Sequence, residues 1–135
     1  MSLSNAVVIV LGGSSGIGLA TAKAARDEGA KVIVTGRSIE RLDAARAALG
    51  PGARAIALDV TDEAGTHAFF GSLDALDHLF ITAGALVGDA HLEPATEVLR
   101  PAIDTRFWGA LYAAKYAGGN SIVQREYQPG RRADE

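Results

Sequence analysis

A run of aliphatic and β-branched residues, Ala6-Val-Val-Ile-Val-Leu11, leads directly into Gly12-Gly13-Ser14-Ser15-Gly16-Ile17-Gly18, and a stretch with helical patterning follows to Glu28. The apolar run is far too short to span a bilayer and lacks the basic flank of an export signal. It therefore reads as a buried strand. Gly12 lets the chain turn sharply out of that strand. Gly16 removes a side chain where the backbone must approach a ligand, and Gly18 lets the helix pack close to the sheet. The exposed N–H groups and the dipole of the helix beginning here favour an anion; the hydroxyls of Ser14 and Ser15 are further donors. Strand, loop and helix together suit a pyrophosphate, with Ile17 at the helix start. The competing reading is a glycine-rich turn kept only for packing.

The same alternation continues along the chain. Lys31 to Thr35 is a second strand and Ile39 to Leu49 a second helix, stopped by Gly50-Pro51-Gly52. Ala53 to Leu58 is a third strand with Asp59 at its end. A helix from Asp62 to Leu73, a strand from His78 to Thr82 and a long helix from Glu93 to Ala117 follow. This β-α order predicts an α/β fold, a doubly wound parallel sheet with helices on both faces. Right-handed crossovers give the strand order 3-2-1-4, with a ligand expected at the switch point between the first and fourth strands. Gly118 to Val123 has the character of a fifth-strand stub. The remainder, Gln124 to Glu135, is polar and carries Pro129-Gly130, and is expected to be a disordered tail. The domain is thus drawn over 1–123 and the tail over 124–135.

Bulk properties narrow the function. A chain of 135 residues suggests one domain with one core. A net charge of -3 gives no electrostatic case for nucleic acid or an anionic membrane. Without cysteine there is neither a disulfide framework nor a thiol nucleophile, which suits a cytoplasmic location. His67, His78 and His91 do not fall at metal-ligand spacings, so no metal site is expected.

The spacing G-x-x-x-G-x-G, from Gly12 to Gly18, resembles that of the short-chain dehydrogenase/reductase family. Three further matches follow in order: Thr35-Gly36-Arg37 after the second strand, Asp59-Val60 after the third and Thr82-Ala83-Gly84 after the fourth. The last is similar to the family's Asn-Ala-Gly turn, with Thr82 for asparagine; Leu11 stands where members usually carry threonine. The resemblance implies a Rossmann-like fold and a nicotinamide dinucleotide as ligand. It further implies that Asp59 hydrogen-bonds the adenine amino group, that Val60 packs on the ring, and that Ala83 and Gly84 line the ribose side. An NAD-selective site carries a carboxylate after the second strand to accept hydrogen bonds from the ribose 2′-OH. That position here is Gly36, and Arg37 beside it suits a 2′-phosphate. NADP(H) is therefore the expected cofactor and NAD(H) the alternative; Arg37 as an ordinary solvated loop residue is the competing reading.

The family reaction is hydride transfer between the cofactor and a carbonyl or alcohol, using an asparagine in the fourth helix, a serine ending the fifth strand and Tyr-x-x-x-Lys in the fifth helix. The asparagine position is Arg106, which cannot accept a hydrogen bond. It is left either as a contact for phosphate or an acidic substrate, or as a surface arginine. The serine position falls near Glu126, and Ser121 lies at the wrong end of its strand. Tyr112-Ala-Ala-Lys115 is one residue short, and Tyr127-Gln-Pro-Gly-Arg131 is broken by Pro129-Gly130. No catalytic residue is assigned, and the substrate stays unnamed. The expectation is a truncated α/β fold: either an oxidoreductase completed from elsewhere, or an inactive cofactor-binding half-domain or frameshifted product. An uncovered sheet edge predicts a homo-oligomer. Phe107, Trp108 and Tyr112 are then either contact surface or core.

Overall fold

The computed structural model describes residues 2–84 and 96–118. Four strands, β1 (Val7–Leu11), β2 (Lys31–Gly36), β3 (Arg54–Ala57) and β4 (His78–Ile81), form one sheet in the order β3-β2-β1-β4. All three pairings are parallel. Helices α1 (Gly16–Asp27), α2 (Ile39–Leu49) and α3 (Glu63–Gly71) make the crossovers, and α4 (Thr96–Ile103) and α5 (Gly109–Gly118) follow β4. The expected sheet and its order are thus observed, with β3 one residue shorter at each end than the apolar pattern suggested. Gly118, expected to begin a fifth-strand stub, is instead the last residue of α5; the rest of that stub and the polar tail lie outside the described residues.

The central strands show no apolar–polar alternation because both of their faces are covered. Ile9, Leu11 and Ile33 point to one side, against Phe69 and Phe70 of α3 and Ala113 and Ala117 of α5. Val8, Val10, Val32 and Val34 point to the other, against Ala22 and Ala25 of α1 and Leu42, Ala45 and Leu49 of α2. Small alanines on α1 let that helix approach the sheet beside the glycine loop. Burying each Val, Leu or Ile here contributes roughly 1.5–3 kcal/mol.

The long helix expected over Glu93 to Ala117 is corrected: it is broken into two. Residues 93–95 lie outside the described part. From Thr96 the helix runs through a π-helical turn, Asp104–Trp108, between α4 and α5. The local cause is Pro101 inside α4, which supplies no N–H to the hydrogen-bond ladder. The Thr105 hydroxyl donates to the Pro101 carbonyl at 2.8 Å, and the Gly109 N–H reaches back to the Asp104 carbonyl. The ladder closes one residue wide. Phe107 and Trp108 are 59% and 43% exposed, which places both outside the core. Among the described residues, no helix is long and apolar enough to cross a membrane.

Candidate functional site

The carboxyl ends of β1, β2 and β4 meet where the chain leaves the sheet in opposite directions, and a cavity of about 430 Å³ opens there. Its floor is the loop after β1. The N–H groups of Gly12 and Gly13 donate to the Thr35 carbonyl at 3.1 and 3.0 Å, tying the loop to β2. The N–H groups of Thr82 and Ala83 donate to the Leu11 carbonyl at 2.8 and 2.9 Å, tying β4 to the end of β1. The Thr82 hydroxyl adds a 3.1 Å bond to the Gly12 carbonyl.

This clamping leaves no room for side chains at Gly12 and Gly18. Gly12 has φ +88°, and a Cβ on it would lie 2.5 Å from the Ala83 nitrogen. A Cβ on Gly18 would run into the Gly12 carbonyl and the Thr82 hydroxyl. Gly16 differs. Its φ is +55°, yet a Cβ there would meet nothing within 4 Å. The backbone is bare where it faces the cavity.

The three crossover helices are capped differently. At the start of α2, Ser38 accepts from the Arg41 N–H, and Glu40 lies in the first turn. At α3, Asp62 accepts from the Gly65 N–H at 3.1 Å, and Glu63 follows. At α1, Ser15 makes no side-chain cap bond and the first turn holds no acid. The positive end of α1 therefore opens into the cavity without a protein anion to compensate it.

Each residue expected from the sequence to contact the cofactor lines this one cavity: Gly12, Ser14, Ser15, Gly16, Ile17 and Gly18 on the floor, Arg37 and Asp59 on the β2–β3 side with Val60, and Ala83 and Gly84 at the end of β4. Sequence reasoning missed Ser38 and Arg41 and gave Thr105 no role, and all three line it too. Arg106, whose role was left open, also faces it. Asp59 accepts from the Thr61 hydroxyl at 2.7 Å and the Thr61 N–H at 3.0 Å, both through Oδ1. These two bonds hold its carboxyl below the ordinary value of 3.8; partial burial opposes the shift, and the positive charge of Arg37 adds a smaller push in the same direction. The Thr35 hydroxyl is buried at the wall without a hydrogen-bond partner among the described residues. Among the described residues three arginines face one aspartate on its lining, so this part of the cavity is cationic in a chain of net negative charge.

A model of the family described as "short chain dehydrogenase" matches residues 6–119. The chain belongs to the short-chain dehydrogenase family. Within that family it is similar to galactitol 2-dehydrogenase of Agrobacterium fabrum, at 33% identity over 99% of this chain and 57% of the relative. It is also similar to an NADP-dependent 3-hydroxy acid dehydrogenase of Salmonella typhi, at 35% identity over 81% and 46%. A solved structure titled "short chain dehydrogenase/reductase family protein" superimposes with a TM-score of 0.83 at 29% identity, covering 94% of this chain and 54% of that one. The chain spans about half the length of the short-chain dehydrogenases it matches.

The two tyrosines and the lysine of α5 stand apart from the cavity. Lys115 Nζ donates to Glu63 Oε1 at 3.3 Å, and the Tyr116 hydroxyl donates to the same oxygen at 2.7 Å. Tyr112 stacks on Trp108 with ring centroids 5.9 Å apart. Neither Tyr112 nor Lys115 lines the site.

Proposed function

We propose that this chain binds a nicotinamide dinucleotide in the cavity, NADP(H) in preference to NAD(H). The observation that carries the reading is the uncapped start of α1 opening onto a bare glycine floor, with arginines placed around it. The first-turn N–H groups of α1 and the hydroxyls of Ser14 and Ser15 receive the pyrophosphate. Asp59, held ionised by Thr61, accepts from the adenine amino group, and Val60 lies against the ring. Arg37, with Arg41 beside it, pairs with the 2′-phosphate. The naming of one matched relative as NADP-dependent supports the same preference.

When bound, the cofactor supplies or accepts the hydride of a carbonyl–alcohol interconversion. This chain's residues bind and orient it. The described residues bring no Tyr-Lys pair to the cavity, so the acid–base groups of turnover are to come from outside them. A second reading, a cofactor-holding module without turnover, is favoured by Arg106 at the position where family members carry asparagine. In either case the exposed Phe107, Trp108 and Leu111 form the face through which the chain self-associates.

Fluorescence titration of the purified chain with NADPH and NADH in parallel tests the reading. Saturable binding, tighter for NADPH, is expected; a folded chain that binds neither refutes it.

A further inference from the structure

Arg37 and Arg106 stand at opposite ends of the cavity and in different surroundings. Arg37 follows β2, and its charge acts on Asp59. Arg106 reaches the cavity from the π turn. Thr105, 8% exposed, is turned inward with its hydroxyl on the Pro101 carbonyl, and the next residue is carried over the end of β4. There the Arg106 guanidinium lies 3.2–3.4 Å from the point a Cβ on Gly84 would occupy. Gly84 carries no side chain, and the guanidinium lies over the place one would occupy. Among the described residues Arg106 has neither an ion-pair nor a hydrogen-bond partner. The one acid on the described lining, Asp59, follows β3, on the far side of β2 and β1 from β4.

This asymmetry bears on the charge of the nicotinamide ring. A dinucleotide with its pyrophosphate at α1 and its adenosine toward Arg37 and Asp59 runs its nicotinamide half toward Gly84 and Arg106. The strand order β2-β1-β4 separates the two ends by two strand spacings, roughly 10 Å. The oxidised nicotinamide ring carries a positive charge and the reduced ring is neutral. Arg106 is exposed and has no acidic partner among the described residues; its guanidinium at the β4 end of the cavity repels the first and tolerates the second.

We infer that Arg106 makes the site selective for cofactor redox state, so that this chain holds NADPH and discriminates against NADP+. The inference rests on the dinucleotide reading and adds a property to it: the β4 end of the cavity senses ring charge. The substitution that counts against turnover then has a use of its own, in a module whose occupancy follows the proportion of reduced cofactor.

The experiment uses the full 135-residue chain and three ligands: NADPH, NADP+ and 2′,5′-ADP, which carries only the adenosine half. Affinities are measured by calorimetry for the wild type, Arg106→Gln and Arg106→Lys. The wild type is expected to bind NADPH about tenfold or more tighter than NADP+. Arg106→Gln brings the two within about twofold, chiefly by tightening NADP+; Arg106→Lys keeps most of the preference, and 2′,5′-ADP binds all three alike. Equal affinities in the wild type, or a ratio unmoved by Arg106→Gln while 2′,5′-ADP still binds, overturns the inference and leaves the dinucleotide reading standing. Failure of all three ligands to bind a folded chain removes that reading and the inference with it.

Discussion

Ser14 Oγ lies 2.6 Å, and Ser14 Cβ 3.1 Å, from the point a Cβ on Gly36 would occupy. The glycine loop is thereby packed onto the position after β2 where an NAD-selective site carries its carboxylate. The missing acid and the loop serine are one steric arrangement. Gly36→Asp alone is therefore expected to displace Ser14 and weaken NADPH and NADH together, by about tenfold. Gly36→Asp combined with Ser14→Gly makes room, and is expected to raise NADH affinity relative to NADPH. Parallel titrations decide it; a full switch to NADH by Gly36→Asp alone would show that Ser14 does not constrain the site.

Arg37 and Arg41 flank the Ser38 cap of α2 and share one wall of the cavity. Arg37→Ala is expected to lower NADPH affinity about tenfold and leave NADH within about twofold. Arg41→Ala acts in the same direction with a smaller effect. The NADPH–NADH difference should shrink at high salt, because exposed guanidinium–phosphate pairs are screened. Equal losses for both cofactors would mean that the arginines support the fold and do not contact the 2′-phosphate.

Asp59 ties this wall to pH. Its folded carboxyl is held below 3.8 chiefly by the Thr61 hydroxyl. A carboxyl depressed on folding contributes stability that is present above the unfolded value and lost as pH falls through the folded one. The Asp59–Thr61 contribution is therefore intact at neutral pH and fades only below about 3.8. Thr61→Val removes the stronger bond and should raise the Asp59 carboxyl toward its ordinary value, seen in the side-chain carboxyl resonance during an NMR titration. An unmoved resonance would place the cause elsewhere.

Thr82 joins β4 to the loop through the Gly12 carbonyl at 3.1 Å. Thr82→Val keeps the shape and deletes the donor, and should cost about 1 kcal/mol of stability while loosening the phosphate floor. Thermal unfolding and NADPH titration of the same variant check both effects. Unchanged stability and affinity would show that the backbone bonds to Leu11 hold the loop without help.

Much of this site was legible because its residues sit at strand ends. Once β1, β2, β3 and β4 are read as parallel strands in the order 3-2-1-4, Gly12, Arg37, Asp59 and Ala83 must arrive at one edge, whatever the detail of the loops. Arg41 was missed because it lies within α2, and whether it faces the cavity depends on how that helix is docked. Thr105 and Arg106 were obscured by the expectation of an unbroken helix. The available signal was Pro101 with a threonine four residues on, a pairing that widens a helical ladder and shifts the faces of every later residue. The surroundings of Phe107 and Trp108 followed from the same shift, and periodicity alone could not assign them to core or surface.

Binding of the dinucleotide at the glycine loop is tested most directly with a ¹⁵N-labelled chain titrated with NADPH and followed amide by amide. Saturable shifts are expected at Gly12, Ser14 to Gly18, Arg37, Asp59, Val60, Ala83 and Gly84, with the far ends of β1 and β2 unmoved. Saturable binding that leaves the Gly12–Gly18 amides unshifted would contradict binding at that loop.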